Sequence, residues 1–314
     1  MAIELDPGAH MTWYLLGISL YLLVHHAGNV NNLTSAVQAL LRARAVNPAF
    51  HPAAIVVGQI YTMRGDYACA APLFDEAVTI EHRATGLIFL GASVARARLH
   101  AHLNEHGDAR RLLNYAINTY SGHDNVYAPT MTAWAYGVRA RIAEAISDFE
   151  SAEHDYTSAV DCAIAHEHCM GIGSHWLHAT MGLSRLAWHR GDPVRATQLL
   201  ESALDMFERK HRFVWLALVG CAPSDSLYEM ASTYACMNEP GKALIALDGA
   251  VGFGWADVHQ LKADNSFDIL RDSPELQDLL ARAKARVTLA PPIGAGGLPD
   301  FAEPLGRAPN PPVA

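Results

Sequence analysis

The sequence has few of the cysteine patterns that mark extracellular or metal-binding proteins. Its 314 residues include only five scattered cysteines, and no two of them form a C-x-x-C pair. This odd, widely spaced set argues against a disulfide framework and against a cysteine-rich zinc site. We expect most of them to be small buried residues in a reducing compartment, and we therefore expect a cytoplasmic protein.

The sequence also has none of the common catalytic motifs. It contains no G-x-S-x-G, no H-E-x-x-H and no Walker-type loop. The pair Gly171 and Gly173 lacks the third glycine of a dinucleotide-binding loop, and no strand pattern precedes it. No cofactor is predicted, and the sequence leaves open whether the protein is an enzyme.

Charge and long apolar runs are limited as well. Charged residues make up 18% of the chain, and the formal net charge is −9, which disfavours binding to the phosphate backbone of nucleic acids. The longest apolar run, Met11 to Val24, is shorter than the roughly 20 residues that cross a bilayer. No Lys or Arg precedes this run, so we predict a buried first helix and no membrane partner. A poorly cleaved anchor is the alternative.

What the sequence does contain is a pattern of recurring helix junctions. Ala, Leu and Arg are abundant and runs of Val, Ile and Thr are scarce, which favours helix over sheet. Short turn signals recur 37 to 48 residues apart. Glycine can end a helix in the left-handed conformation, and Asp or Asn can cap the next helix. The junctions are Gly28-Asn29, Gly65-Asp66, Gly107-Asp108, Ser147-Asp148, Gly191-Asp192 and Glu239-Pro240.

After most junctions a helix carries small and large apolar residues at the same spacing. Short side chains at these positions allow neighbouring helices to approach to about 8–10 Å. The third unit departs from the pattern, because Leu112 stands where a small residue is expected. Two clear runs are Tyr67, Ala70, Phe74 and Ala77, and Phe149, Ala152, Tyr156 and Ala159.

These units resemble the tetratricopeptide repeat family. The first-helix signature of that family is matched by Trp13, Leu16, Gly17 and Leu20, by Gly58 and Tyr61, and by Ala231 and Tyr234. The resemblance covers about residues 11 to 251 and implies an all-α fold, a right-handed superhelix of about six helical hairpins. The units are longer than the usual repeat and resemble the helical arms of bacterial MalT-type signal-transduction regulators.

The composition also divides the chain into three parts. We assign residues 1–251 to the repeat array and residues 252–287 to a C-terminal helical cap, because a solenoid needs a polar-faced terminal unit. Residues 288–314 contain seven prolines and four glycines, and we predict a disordered tail there.

Histidines crowd one junction of the predicted array, between residues 166 and 178. His166, His168, His175 and His178 could bind a metal, since imidazole suits zinc, copper or haem iron. The alternative is that these side chains lie at helix ends, either solvated or packed.

The resemblance implies that the first helices of the hairpins line a concave groove. Aromatic residues and arginines there would suit a peptide or a carboxylate-bearing ligand. The alternative is that Trp134 and Trp188 belong to the core and that the arginines lie on the surface. The predicted groove residues are Tyr14, Tyr21, Trp134, Arg141, Glu144, His178, Arg185, Trp188 and Tyr228.

The function predicted from these patterns is non-catalytic binding of a protein, a peptide or a small acidic ligand, in a signalling or regulatory adaptor. One alternative is an enzyme or small-molecule sensor on the same scaffold, with its site near residues 166–178. Another is a sensor arm that acts in trans on a separate regulator. Fold alone does not decide between them.

Overall fold

Within the described residues, twelve helices follow one another in pairs along the chain. The computed structural model describes residues 9–27, 32–83, 89–210 and 223–289, and it contains no strand within these ranges. Each helix packs against its partner, and each pair packs against the next. The pairs are α1 (His10–Ala27) and α2 (Asn32–Val46), α3 (Pro52–Met63) and α4 (Tyr67–Arg83), α5 (Ala92–His102) and α6 (His106–Tyr120), α7 (Ala128–Ala145) and α8 (Phe149–Ala165), α9 (Ile172–His189) and α10 (Pro193–Lys210), and α11 (Pro223–Cys236) and α12 (Pro240–Gly252).

Three further elements follow the pairs. They are α13 (Val258–Ala263), a 3-10 helix (Asn265–Leu270) and α14 (Pro274–Leu289). The tail predicted for residues 288–314 lies almost entirely outside the described residues.

Several predicted junctions are confirmed by backbone geometry. Gly65 and Gly191 have φ angles of 75° and 76°, the left-handed conformation that glycine adopts without steric cost. Ser147 has a φ of 61°, and the side chain of Asp148 then caps α8 by accepting a hydrogen bond from the Ser151 N–H. The junction at Gly28-Asn29 lies outside the described residues.

The junction predicted at Gly107-Asp108 is wrong by about three residues. Asn104 makes the turn, with a φ of 60°, and α6 already begins at His106. Asparagine tolerates the left-handed conformation because its short side chain can hydrogen-bond locally. The unit that looked irregular is therefore regular, since its small residues occur at Ala109 and Ala116 and not at Leu112.

All six pairs carry the same small–large–small pattern on the second helix. The first small residue is fully buried in every case, which allows the close helix crossings that the sequence pattern indicated. These alanines are Ala36, Ala70, Ala109, Ala152, Ala196 and Ala243.

The first helix is buried on one face only. Tyr14, Ile18 and Tyr21 are buried, whereas Leu15 and Leu23 are exposed. The first helix, predicted to be buried, is therefore buried along one side and has exposed apolar residues on the other. Among the described helices, none is both long and apolar enough to cross a membrane.

A glycine at the crossing of α3 and α4 gives a test of this packing. A Cβ at Gly58 would lie 2.6 Å from the Phe74 ring. We expect Gly58→Ala to lower the free energy of unfolding by about 1–3 kcal/mol, because the ring must move. Urea unfolding measures this. Gly107→Ala, where a Cβ meets nothing within 4 Å, should be neutral or slightly stabilising. Equal effects in both variants would contradict the packing explanation.

Residues 255–270, which we call the C-terminal segment, reach back to the second and third helix pairs. The Ala256 N–H donates to the Met63 carbonyl at 3.2 Å. Asp257 accepts hydrogen bonds from the Tyr67 hydroxyl, and its Oδ2 lies 3.0 Å from His102 Nδ1. The segment therefore connects the last helix pair with the second and third pairs, and so bounds the space between them.

Candidate functional site

The inner helices and the C-terminal segment enclose a cavity of about 520 Å³. Side chains from α5, α7, α9 and α11 form its walls, and residues 260–269 form one side. The apolar part of the lining includes Trp134, Val138 and Ile142. The volume of the cavity falls within the range of about 300–1,000 Å³ that is usual for ligand sites.

A buried ion-pair network lies directly beneath the cavity. Arg185 is completely buried, and its Nε and Nη2 donate to the two carboxylate oxygens of Glu144 at 2.7 and 2.9 Å. Its Nη1 donates to Glu229 at 3.1 Å and to the Thr233 hydroxyl at 3.0 Å. The Tyr156 hydroxyl donates to Glu144 at 2.6 Å. These bonds satisfy the guanidinium and fix α7, α9 and α11 relative to one another.

A second arginine joins this network to the C-terminal segment. Arg141 Nη2 donates to Asp264 at 2.7 Å and to the Ser232 hydroxyl at 3.1 Å. Asp264 also accepts a hydrogen bond from the Tyr228 hydroxyl at 3.1 Å. Asp264 therefore occupies the place on Arg141 that a ligand carboxylate would take.

A third ion pair lies on another wall of the cavity. Arg98, on α5, contacts both carboxylate oxygens of Asp225, on α11, at 3.1 and 3.4 Å. His178 Nε2 lies 2.9 Å from the Ser226 hydroxyl. The Arg98–Asp225 pair links α5 with α11, and the contact between His178 and Ser226 links α9 with α11.

The network sets the charge of the cavity at neutral pH. Burial alone would raise the pKa of Glu144, but the charges of Arg185 and Arg141 outweigh it and hold the pKa at about 2. The pKa of Asp264 is lowered as well, since Arg141 outweighs the effect of burial. Burial lowers the pKa of His178 below its usual range. At pH 7 Glu144 and Asp264 are therefore ionised and His178 is neutral.

The thiol on the cavity wall is not activated. Cys236 Sγ lies 3.4 Å from His189 Nε2, a spacing that resembles a nucleophile and its base. Burial, however, raises the pKa of the Cys236 thiol to about 11. The thiol therefore stays protonated at neutral pH, which does not suit nucleophilic catalysis.

The structure places the nine predicted groove residues in two groups. Five of them line the cavity, and Arg185 lies just beneath it in contact with Glu144. Tyr14 and Tyr21 are buried in the core around the first helix pairs, and Trp188 packs near Leu200 and Met237. The five lining residues are Trp134, Arg141, Glu144, His178 and Tyr228.

The four predicted metal ligands are not brought together. His166 follows the end of α8, where its Nδ1 lies 3.0 Å from the Cys162 carbonyl, and its ring centroid is 6.5 Å from that of His168. His175 stacks on Trp134 at the cavity wall, and His178 contacts Ser226. Within the described ranges, one group has three donor atoms close enough for a metal. It is the surface set His100, Glu105 and Asp108.

Sequence reasoning missed four residues that shape the site. Asp225 and Glu229 are spaced i, i+4 and flank Tyr228 on α11, so helical periodicity could have placed them on the same inner face. Asp257 and Asp264 gave no comparable signal, because their partners are distant in the sequence.

The comparisons with known proteins support the repeat family over part of the chain. Residues 21–85 match the family model described as tetratricopeptide repeat. Tetratricopeptide repeats generally mediate protein–protein interactions. No curated protein matches the sequence.

Two solved structures show partial similarity. BtubC (BKLC) from P. vanneervenii gives a TM-score of 0.43 and 17% identity, covering 81% of this chain and 91% of that one. The TPR domain of P58(IPK) gives a TM-score of 0.24 and 11% identity, with 93% and 92% covered.

Proposed function

We propose that this chain is a non-catalytic binding module that holds a segment of a partner protein in its concave cavity. In this proposal the six helix pairs are tetratricopeptide-like repeats in a right-handed superhelix, and residues 252–287 cap the array. The observation that carries the proposal is the cavity of about 520 Å³, which the inner helices of four pairs line. A signalling or regulatory adaptor in the cytoplasm is the role that the long-repeat resemblance favours.

The rigid floor of the cavity supports binding over chemistry. Arg185, Glu144 and Glu229 already satisfy one another, so binding needs little rearrangement of charged groups. The C-terminal segment occupies part of the concave face. The remaining volume therefore suits one or two protruding side chains or a chain end, and not a whole helix.

A glycine on the cavity wall allows a direct test. Gly137 lies within α7 and lines the cavity, and a Cβ there would meet nothing within 4 Å. We expect Gly137→Trp to place a large side chain in the cavity and to reduce capture of the bound partner at least tenfold. Affinity purification from the native cells, with quantitative mass spectrometry, measures the captured set.

Gly241→Trp is the matched control. Gly241 is also a helical glycine with open space at its Cβ, but it lies on α12 away from the cavity lining. This variant should capture the same partners as the wild type. If Gly137→Trp retained every partner that Gly241→Trp retains, binding in the cavity would be disproved.

A further inference from the structure

We propose that the group entering the cavity is cationic, a lysine or arginine side chain of the bound segment. This inference rests on the proposed function and specifies the chemistry of its ligand. Carboxylates outnumber guanidiniums on the cavity wall. Four carboxylates line it, Glu144, Asp225, Glu229 and Asp264, against two guanidiniums, Arg98 and Arg141.

The arginines of this region are already paired within the chain. Arg98 is held by Asp225, Arg141 by Asp264, and the buried Arg185 by Glu144. An incoming carboxylate would have to displace one of these partners and would add another negative charge to an acidic cavity. The same pairs engage the four carboxylates, so the pairing itself opposes entry of either charge. The excess of carboxylates over guanidiniums is what favours a ligand of opposite sign to the acidic ligand that Arg141 and Arg185 suggested from sequence.

Neither the buried histidine of the wall nor the arginine beneath it reverses this balance. His178 is neutral at pH 7, as described above, and Arg185 beneath the floor leaves the set of seven charged groups with one negative charge in excess. A concave cleft with low-dielectric walls strengthens the field of such an excess charge. A cation that enters exchanges its hydration for carboxylate oxygens that are already fixed in place.

Gly137 leaves open space on the cavity wall for the stem of the side chain. A glycine inside a helix costs roughly 0.5–1 kcal/mol relative to alanine. At Gly17 and Gly58 close helix packing explains the glycine, because a Cβ would lie 2.6 Å from Leu40 or Phe74. Gly137 has no such neighbour, and it lies beside the apolar lining residue Val138. This leaves an apolar path along α7 for an alkyl stem whose charged end reaches the carboxylates.

The test compares two small probes of equal length and opposite charge. Hexylamine represents a lysine side chain, and hexanoate is its anionic counterpart. We expect hexylamine, titrated by NMR against the full chain at neutral pH, to bind at least tenfold more tightly than hexanoate. Gly137→Trp should weaken hexylamine binding at least tenfold, and Gly241→Trp should leave it unchanged. Glu229→Gln, which keeps the shape of the side chain, should weaken it several-fold.

The outcomes separate this inference from the proposed function. If hexanoate bound more tightly than hexylamine, the cationic ligand would be disproved, although loss of partner capture in Gly137→Trp would still support the cavity as the binding site. If hexylamine bound but Gly137→Trp kept every captured partner, the cavity would take a free amine and the proposed protein segment would be wrong. Hexylamine binding that survives Gly137→Trp would place the cation elsewhere and overturn the inference.

Discussion

Replacing Arg185 with methionine is expected to lower the free energy of unfolding by about 3–5 kcal/mol. Methionine fills a similar volume but removes the charge that faces Glu144 and Glu229. Both carboxylates would then remain largely buried, with side chains 8% and 16% exposed, and without their main cation. Breaking one side of a buried ion pair costs more than the pair contributes, because the remaining charge is left uncompensated.

Urea unfolding followed by circular dichroism measures this effect. The control is Arg190→Met, at the residue that directly follows the end of the same helix. The Arg190–Glu153 pair is exposed at 46% and 31%, so its loss should change stability by less than about 1 kcal/mol. If the two variants were equally stable, Arg185 would not hold the floor of the cavity.

Adding Glu144→Gln to the Arg185→Met variant should restore part of the lost stability. The amide removes the charge that the first substitution left unpaired, while the Tyr156 hydroxyl keeps an oxygen acceptor. Additive losses in the double variant would show that the two side chains do not act as a pair.

Replacing Asp257 with alanine is expected to cost about 3–4 kcal/mol and to loosen the C-terminal segment. The change leaves three donors without their acceptor: the Tyr67 hydroxyl, His102, and the Gln260 N–H at the start of α13. A lost helix cap typically costs about 1 kcal/mol, and each unsatisfied buried donor about 1–3 kcal/mol.

Hydrogen exchange resolves this effect along the chain. Exchange should rise in residues 255–270 and at the ends of α3 and α5, which the segment contacts. Asp248→Ala removes an exposed ion pair with Arg282 and should leave these regions protected. Unchanged exchange in Asp257→Ala would mean that the segment is held by its apolar residues alone.

The carboxylates of Asp257 and Glu144 contribute to the stability of the protein in acid. Burial raises the pKa of Asp257, but the hydrogen bond and charge of His102 outweigh it and lower the pKa below its usual value. For Asp257 and Glu144 the folded pKa is lower than the unfolded one, so the unfolded state binds protons first as the pH falls. Their stabilisation is complete above about pH 5 and is lost as the pH falls through the folded values.

The repeat pattern could be predicted from the sequence because it depends on residues that are close in sequence. A left-handed turn followed by Ala70, Phe74 and Ala77 predicts the local helix crossing, and the same crossing occurs in every pair of the structure. The third unit was misread for a local reason. Asn104 took the left-handed conformation expected of Gly107, which shifted the register by about three residues.

The site was harder to predict because its charged residues are paired with partners that are distant in the sequence. The resemblance to the tetratricopeptide repeat predicted Trp134, Arg141 and Tyr228 on the inner face, and they line the cavity. The sequence could not show that Arg141 is paired with Asp264, 123 residues away. An arginine that faces a groove suggests an acidic ligand. That suggestion no longer holds when the arginine is already paired with a carboxylate of the same chain.

The return of the C-terminal segment to the second helix pair also bears on how the molecule folds. In an open repeat array each unit contacts only its neighbours, so units can form and melt one after another. Here the Tyr67–Asp257 bond spans 190 residues, and closing so large a loop is entropically unfavourable until the intervening pairs exist. We expect the contact between the C-terminal segment and the second helix pair to form late in folding. Once formed, it should make the first and last parts of the array unfold together as one cooperative unit.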